Sequence, residues 1–256
     1  MKCQTVKAVV KGRLSMHIRK RSIAVVLVFL MGMLGALACL VWYSRVTCRI
    51  TPEDRVFIAA FLKEGQMENL RPGAAYVDEL SFIQGAQKAV LHRAPGNEPV
   101  PMYHPREPKD VYLFRSGLCY DRSRVMEKIL KSRGFATRHV SVYASGKCVL
   151  ASLILPKTAS HAVLEVCTRK GWLVVDSNRP WVSTDKNGNP VSMARMKQDA
   201  GKARIPWLNQ GAVHSDPIFQ EPFVYIYGLY SRHGKFYPPY TPFPDICWQE
   251  FADNFF

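Results

Sequence analysis

The chain has 256 residues, enough to bury a sizeable core as one large domain or two small ones. Thirty-five Lys and Arg against 20 Asp and Glu give a net charge of +15. Seven of the basic residues stand within residues 1–22, which hold no acid, and the remainder shows no Arg/Lys stripe or recognition motif, which argues against a nucleic-acid partner.

Residues 23–43, Ile23 to Tyr43, carry no charge and match a hydrocarbon core of about 30 Å at about 1.5 Å per residue. With the basic tail before them, the positive-inside tendency predicts a single-pass signal anchor in the inner or plasma membrane. The N-terminus is then cytoplasmic, and residues 45–256 are exported to the periplasm or the exterior. Cleavage after Ala36-Leu37-Ala38, or lipidation at Cys39, is the competing reading. The apolar run continues through Leu40, Val41, Trp42 and Tyr43, which favours a retained anchor.

Thr51-Pro52-Glu53-Asp54 reads as a helix start, with Thr as N-cap and an acid three residues on, and the helix is predicted to reach about Lys63. A second apolar-periodic helix is predicted over Val77 to His92. Pro95, Pro99, Pro101, Pro105 and Pro108 then impose an extended connection. Arg115-Ser116-Gly117-Leu118-Cys119 leads into a third helix, which Gly134 stops.

Beyond it the pattern changes to strands, predicted at Ala136–Ala144, Cys148–Leu155, His161–Cys167 and Trp172–Asp176. Asp185-Lys186-Asn187-Gly188 is a turn signal, not a calcium loop, because its glycine comes two positions too early. Thirteen of the 29 aromatic residues fall after residue 218. Phe223, Tyr225 and Tyr227 alternate as one strand face, which either covers a sheet in the core, or else stacks on sugar rings or lines a cleft. Of seven cysteines, five are exported, an odd number. Up to two disulfides can form and one thiol stays free, Cys119 being the candidate. Cys148 and Cys167, on neighbouring predicted strands, are a possible pair.

Cys119 is the residue that carries chemistry. A helix N-terminus favours the thiolate through its dipole and its unpaired N–H groups. His161 opens an otherwise apolar strand. If residues 168–169 form a two-residue turn, His161 faces Asp176 directly, and a slip of one residue would separate them onto opposite faces. Thiol, imidazole and carboxylate in this order are the parts of a cysteine-nucleophile enzyme.

Four blocks in order carry a resemblance: Gly117-Leu118-Cys119; Gly134-Phe135-Ala136-Thr137-Arg138-His139-Val140; His161-Ala162-Val163-Leu164-Glu165-Val166; and Gly171-Trp172-Leu173-Val174-Val175-Asp176. Together they resemble the transglutaminase-like superfamily over about residues 80–180, with residues 181–256 as an aromatic-rich extension.

The resemblance implies a papain-like α+β fold in which a nucleophile-bearing helix packs on an antiparallel sheet. Cys119 would attack an amide carbonyl, His161 would shuttle the proton and Asp176 would hold the imidazole, with a protein or peptide as substrate. Hydrolysis is favoured over transfer to an amine. Two positions depart from the family pattern, Val163 in place of an aromatic and Ser177 in place of a proline. The second oxyanion donor is open among Gln84, Gln87, Tyr103 and Tyr112. No cofactor is required, and the His and Cys residues lack metal-ligand spacing. The alternative is a non-catalytic module of this fold that grips an envelope polysaccharide or protein partner.

Overall fold

A computed structural model describes residues 25–67, 73–101, 103–146, 148–202, 205, 207 and 215–255. The chain divides into two compact units, Met1–Arg45 and Val46–Phe256. In the first, helix α1 covers Val25–Tyr43 and is long and apolar enough to cross a membrane. The basic tail lies outside the described residues.

The second unit begins with α2 (Pro52–Glu64), which starts as its sequence predicts. Thr51 Oγ1 accepts the Asp54 N–H at 3.1 Å, and the Asp54 carboxylate accepts the Thr51 N–H at 2.7 Å, a reciprocal capping box. Helices α3 (Tyr76–Arg93), α4 (Pro108–Phe114) and α5 (Cys119–Lys131) complete a helical layer. Pro108 occupies the first turn of α4, where its missing N–H costs no hydrogen bond.

Strands β1 (Ala136–Ala144), β2 (Ser160–Thr168), β3 (Gly171–Val175) and β4 (Phe223–Tyr227) form an antiparallel sheet in the order β3-β2-β1-β4. Short helices α6 (Val149–Ile154) and α7 (Met193–Asp199) lie within the connections. A two-stranded ribbon, β5 (Leu229–Tyr230) with β6 (Asp245–Ile246), precedes α8 (Trp248–Phe251).

Alternation along the strands builds two cores. Leu164, Val166, Leu173 and Val175 meet Val125, Met126, Ile129 and Leu130 of α5 and Phe82, Ile83 and Val90 of α3. Val140, Val142, Val163 and Val174 face the other way, toward Trp181, Trp207, Phe219, Phe223 and Tyr227. The aromatics of β4 therefore cover the sheet, the core alternative of the two readings.

Two local expectations fail. Segment 148–155 is not a strand. β1 pairs directly with β2 up to Tyr143↔Ser160, so the connection between them has no neighbour to ladder with and closes as α6. Cys148 and Cys167 are consequently not partners on adjacent strands, and both are free. The disulfide joins Cys48 to Cys247 across 199 positions of chain.

The polar side of α5 is buried as well. Lys128 Nζ meets Asp54 at 2.6 Å and Glu107 at 2.7 Å, and Arg124 pairs with Glu107 and Glu127. Charges this deep are tolerated because each has a partner, and they tie α5 to α2 through Asp54 and to the start of α4 through Glu107.

Candidate active site

Cys119 is the first residue of α5, which follows an extended Leu118. The turn into the helix is held by Asp121, whose Oδ2 accepts the Leu118 N–H at 2.9 Å and whose Oδ1 takes a hydrogen bond from Arg106 at 3.0 Å. The approach is close at Gly117, where a Cβ would stand 3.0 Å from that of Asp121. The N–H groups of the first turn, that of Cys119 included, have no intrahelical acceptor.

His161 is the second residue of β2 and is 3 % exposed; Asp176, just after β3, is fully buried. His161 Nε2 lies 3.2 Å from Asp176 Oδ1, and the same oxygen accepts the N–H groups of Asn178 at 2.7 Å and Arg179 at 3.1 Å. Burial works against a charged imidazole. The opposing charge and hydrogen bond of Asp176, with a further hydrogen bond to Cys119, nonetheless hold the His161 pKa well above its ordinary 6.5. Burial likewise pushes the Asp176 carboxyl up, but His161 and the two backbone N–H groups bring it below 3.8. Nε2 is turned to the carboxylate, so Nδ1 is the ring nitrogen left for the thiol.

The turn between β2 and β3 falls at residues 169–170, one place later than expected, with Thr168 paired to Gly171. Partners shift by two, so His161 and Asp176 are diagonal neighbours. An even shift preserves the face, and both stay on the side of Val163 and Val174.

Cys119 and His161 line a cleft of about 540 Å³ together with Asn97, Tyr120, Asn178 and Phe236. Asp216 and Glu221 give it two carboxylates, and no Lys or Arg stands among its described lining residues. The residues weighed as second oxyanion donor lie elsewhere. Gln87 is buried on α3, its amide nitrogen directed at the carbonyls of Asp176 (2.7 Å), Arg179 (2.9 Å) and Trp181 (2.8 Å), which leaves nothing for an oxyanion. Tyr112 donates to Glu64 at 2.6 Å, Tyr103 is 83 % exposed, and Gln84 does not line the cleft.

Sequence reasoning missed Arg122. Its guanidinium, 4 % exposed, donates to Ala94 O at 2.9 Å, Gly96 O at 2.6 Å and Asn178 Oδ1 at 2.7 Å. An Arg one turn after Cys119, on a helix otherwise read for its apolar period, was the available signal. Ser177 fills its place by donating its hydroxyl proton to Ala162 O.

Among curated proteins none matches the chain. Among solved structures it resembles a candidate cysteine protease from Cytophaga hutchinsonii, with 17 % identity and a TM-score of 0.35 over 56 % of this chain. The match spans 42 % of the length of that protein. The family model described as the transglutaminase-like superfamily matches residues 78–177, from the first turn of α3 to the residue after Asp176. Residues 78–177, which hold Cys119, His161 and Asp176, are thus similar to the core of the transglutaminase-like superfamily.

Proposed function

We propose that the protein is a membrane-anchored thiol enzyme that hydrolyses amide bonds of a protein or peptide through Cys119, His161 and Asp176. The observation that carries this reading is the single cleft where Cys119, at a helix N-terminus, meets His161, with buried Asp176 behind the ring.

The Cys119 sulfur adds to the amide carbonyl carbon, and its proton passes to His161. The tetrahedral adduct collapses, the C–N bond breaks, and His161 gives the proton to the departing amine. Water then adds to the thioester, losing its proton to His161. The C–S bond breaks, the acid leaves and the Cys119 thiol is restored. Asp176 keeps the imidazole turned toward the sulfur and stabilises its charged form. An amine entering in place of water would make the same site a transferase. The choice of water rests on its ready access to an open cleft.

The α1 helix supports an anchor, and the basic residues before it support export of the domain. A disulfide at Cys48–Cys247 agrees with an oxidising compartment. Alkaline carbonate extraction and protease accessibility in spheroplasts test both points, and digestion of the domain only after lysis would refute export.

The enzymatic reading is tested on the full chain in detergent micelles, by comparing alkylation of Cys119 with iodoacetamide in wild type and His161→Ala. Slower labelling of the variant is expected, whereas equal rates would remove the thiol enzyme. Incorporation of a labelled primary amine into a glutamine-containing protein would select transfer over hydrolysis.

A second recess of about 540 Å³, lined by Trp172, Trp207, Asp185, Asn187 and Arg195, favours a second reading, a module that binds an envelope polysaccharide. Retardation in affinity gels that survives Cys119→Ala and is lost in Trp172→Ala would support it.

A further inference from the structure

An acyl transfer through Cys119 creates an oxyanion on the carbonyl oxygen, and the Cys119 N–H alone is half of what such a charge needs. The second donor has to stand beside the N-terminus of α5, be fixed by its backbone, and keep an N–H group free. We propose that Asn97 is this donor and that Arg122 is the residue that positions it. The assignment rests on the thiol-enzyme reading of the site.

Asn97 lines the cleft with Cys119, and its carboxamide has no hydrogen-bond partner among the described residues. Its backbone, by contrast, is held from both sides of the nucleophile. Three residues before Cys119, Ser116 bridges Gly96 and donates its hydroxyl to Glu98 O at 2.7 Å, so the residues on either side of Asn97 are both tied to Ser116. Three residues after Cys119, Arg122 binds Ala94 O and Gly96 O. The Val100 N–H also points to Asp121 Oδ2 at 3.4 Å. The connection is tight at Gly96, where a Cβ would come within 3.1 Å of Ser116 Oγ. Asn97 is thus an exposed amide on a loop bound to the turn that presents the sulfur.

Arg122 does more than hold the loop. Its third bond, to Asn178 Oδ1, reaches the turn whose N–H groups hold Asp176. One buried guanidinium therefore links the nucleophile helix, the Asn97 loop and the acid turn. A Lys in its place has one nitrogen and cannot serve three acceptors in that plane.

Two reagents separate an oxyanion role from a role in activating the thiol. p-Nitrophenyl acetate acylates a thiolate through a tetrahedral oxyanion: the C–S bond forms, the C–O bond breaks, and p-nitrophenolate leaves. Iodoacetamide reacts at its CH2 carbon with loss of iodide and forms no oxyanion. On the full chain in detergent, Asn97→Ala should slow acylation of Cys119 by about 100-fold or more while alkylation stays close to wild type. Arg122→Lys should reproduce that selective loss, and adding it to Asn97→Ala should cost acylation little more. Asn97 is exposed, so its alanine variant tests the assignment even if Arg122→Lys does not fold.

Unchanged acylation in Asn97→Ala would overturn the assignment. So would an equal loss of acylation and alkylation, or a selective loss in Asn178→Ala instead. A wild-type Cys119 that is not acylated, with His161→Ala alkylated as fast as wild type, would sink the thiol-enzyme reading itself.

Discussion

His161 Nε2 and Asp176 Oδ1 face each other at 3.2 Å inside the protein, where Asp176 is fully buried and His161 keeps only its edge on the cleft. The folded state raises the pKa of the His and lowers that of the Asp, so the ion pair exists between the two displaced values. The raised His contributes stability fully below its ordinary 6.5, and that contribution is lost as pH rises through the higher folded value. The lowered Asp contributes above its ordinary 3.8, and that contribution is lost as pH falls through the lower folded value.

Asp176→Asn should therefore destabilise the fold most between pH 3.8 and 6.5, by about 3–5 kcal/mol for a buried charge left unpaired. Urea unfolding of both proteins across pH measures this. The gap should narrow toward either end, and a gap independent of pH would remove the ion pair from the account.

Gln87 supports the turn that carries this carboxylate. Its amide nitrogen meets three carbonyls on the 176–181 turn, and its side chain is buried. Gln87→Leu keeps roughly the volume but leaves those carbonyls without their donor, at about 1–3 kcal/mol each if no water replaces it. The expected result is a loss of stability together with slower alkylation of Cys119, because the acid turn loosens. Stability lost with alkylation unchanged would make Gln87 a packing residue only.

Much of this site was legible because its parts are local. Thr51 and Asp54 announce a cap, Gly117 and Cys119 a tight helix entry, and His161 a polar start to an apolar strand. The pairing of His161 with Asp176 was legible through parity, which survives a two-residue error in the hairpin. The turn itself was misplaced because Thr168, a turn-tolerant residue, stays in the strand, its hydroxyl donating to Gly171 O at 2.8 Å. What lay beyond sequence was tertiary. Gln87 looks like a polar residue on a helix until the 176–181 turn is folded over it. Cys48 and Cys247 share no spacing rule across 199 positions.

Glu250 and Glu127 compete for one environment. Lys131 Nζ lies 2.8 Å from Glu250 and 2.6 Å from Glu127, and the Tyr230 hydroxyl stands 2.7 and 2.8 Å from the same two groups. The His139 backbone N–H also donates to Glu250, at 3.1 Å. Burial first, and then the charge of Glu127, push the Glu250 carboxyl up to about 7 against the pull of Lys131 and Tyr230. The folded protein then holds a proton that the unfolded chain releases above 4.5, so stability falls as pH rises from 4.5 to about 7 and is level beyond. Glu250→Gln removes that step, on the order of a few kcal/mol. The stability difference, wild type minus variant, should decline across the interval in urea titrations, and a flat difference would place the titration elsewhere.

Cys48 and Cys247 tie the start of the second unit to its C-terminal segment. The same junction carries the Val46 N–H to Ile246 O bond at 2.9 Å and the Arg124 bond to Thr47 O at 2.7 Å. These contacts survive loss of the disulfide, so Cys247→Ser should still fold. What it loses is the restraint on a long unfolded loop, about 2–5 kcal/mol, or a fall of roughly 5–15 °C in the thermal midpoint for a unit of this size. Neither cysteine lines the cleft, so alkylation of Cys119 well below that midpoint should match wild type. A reductant should bring the wild-type midpoint down to that of the variant without changing the variant itself. A wild-type midpoint indifferent to reductant would mean that the bond does not form in the native protein.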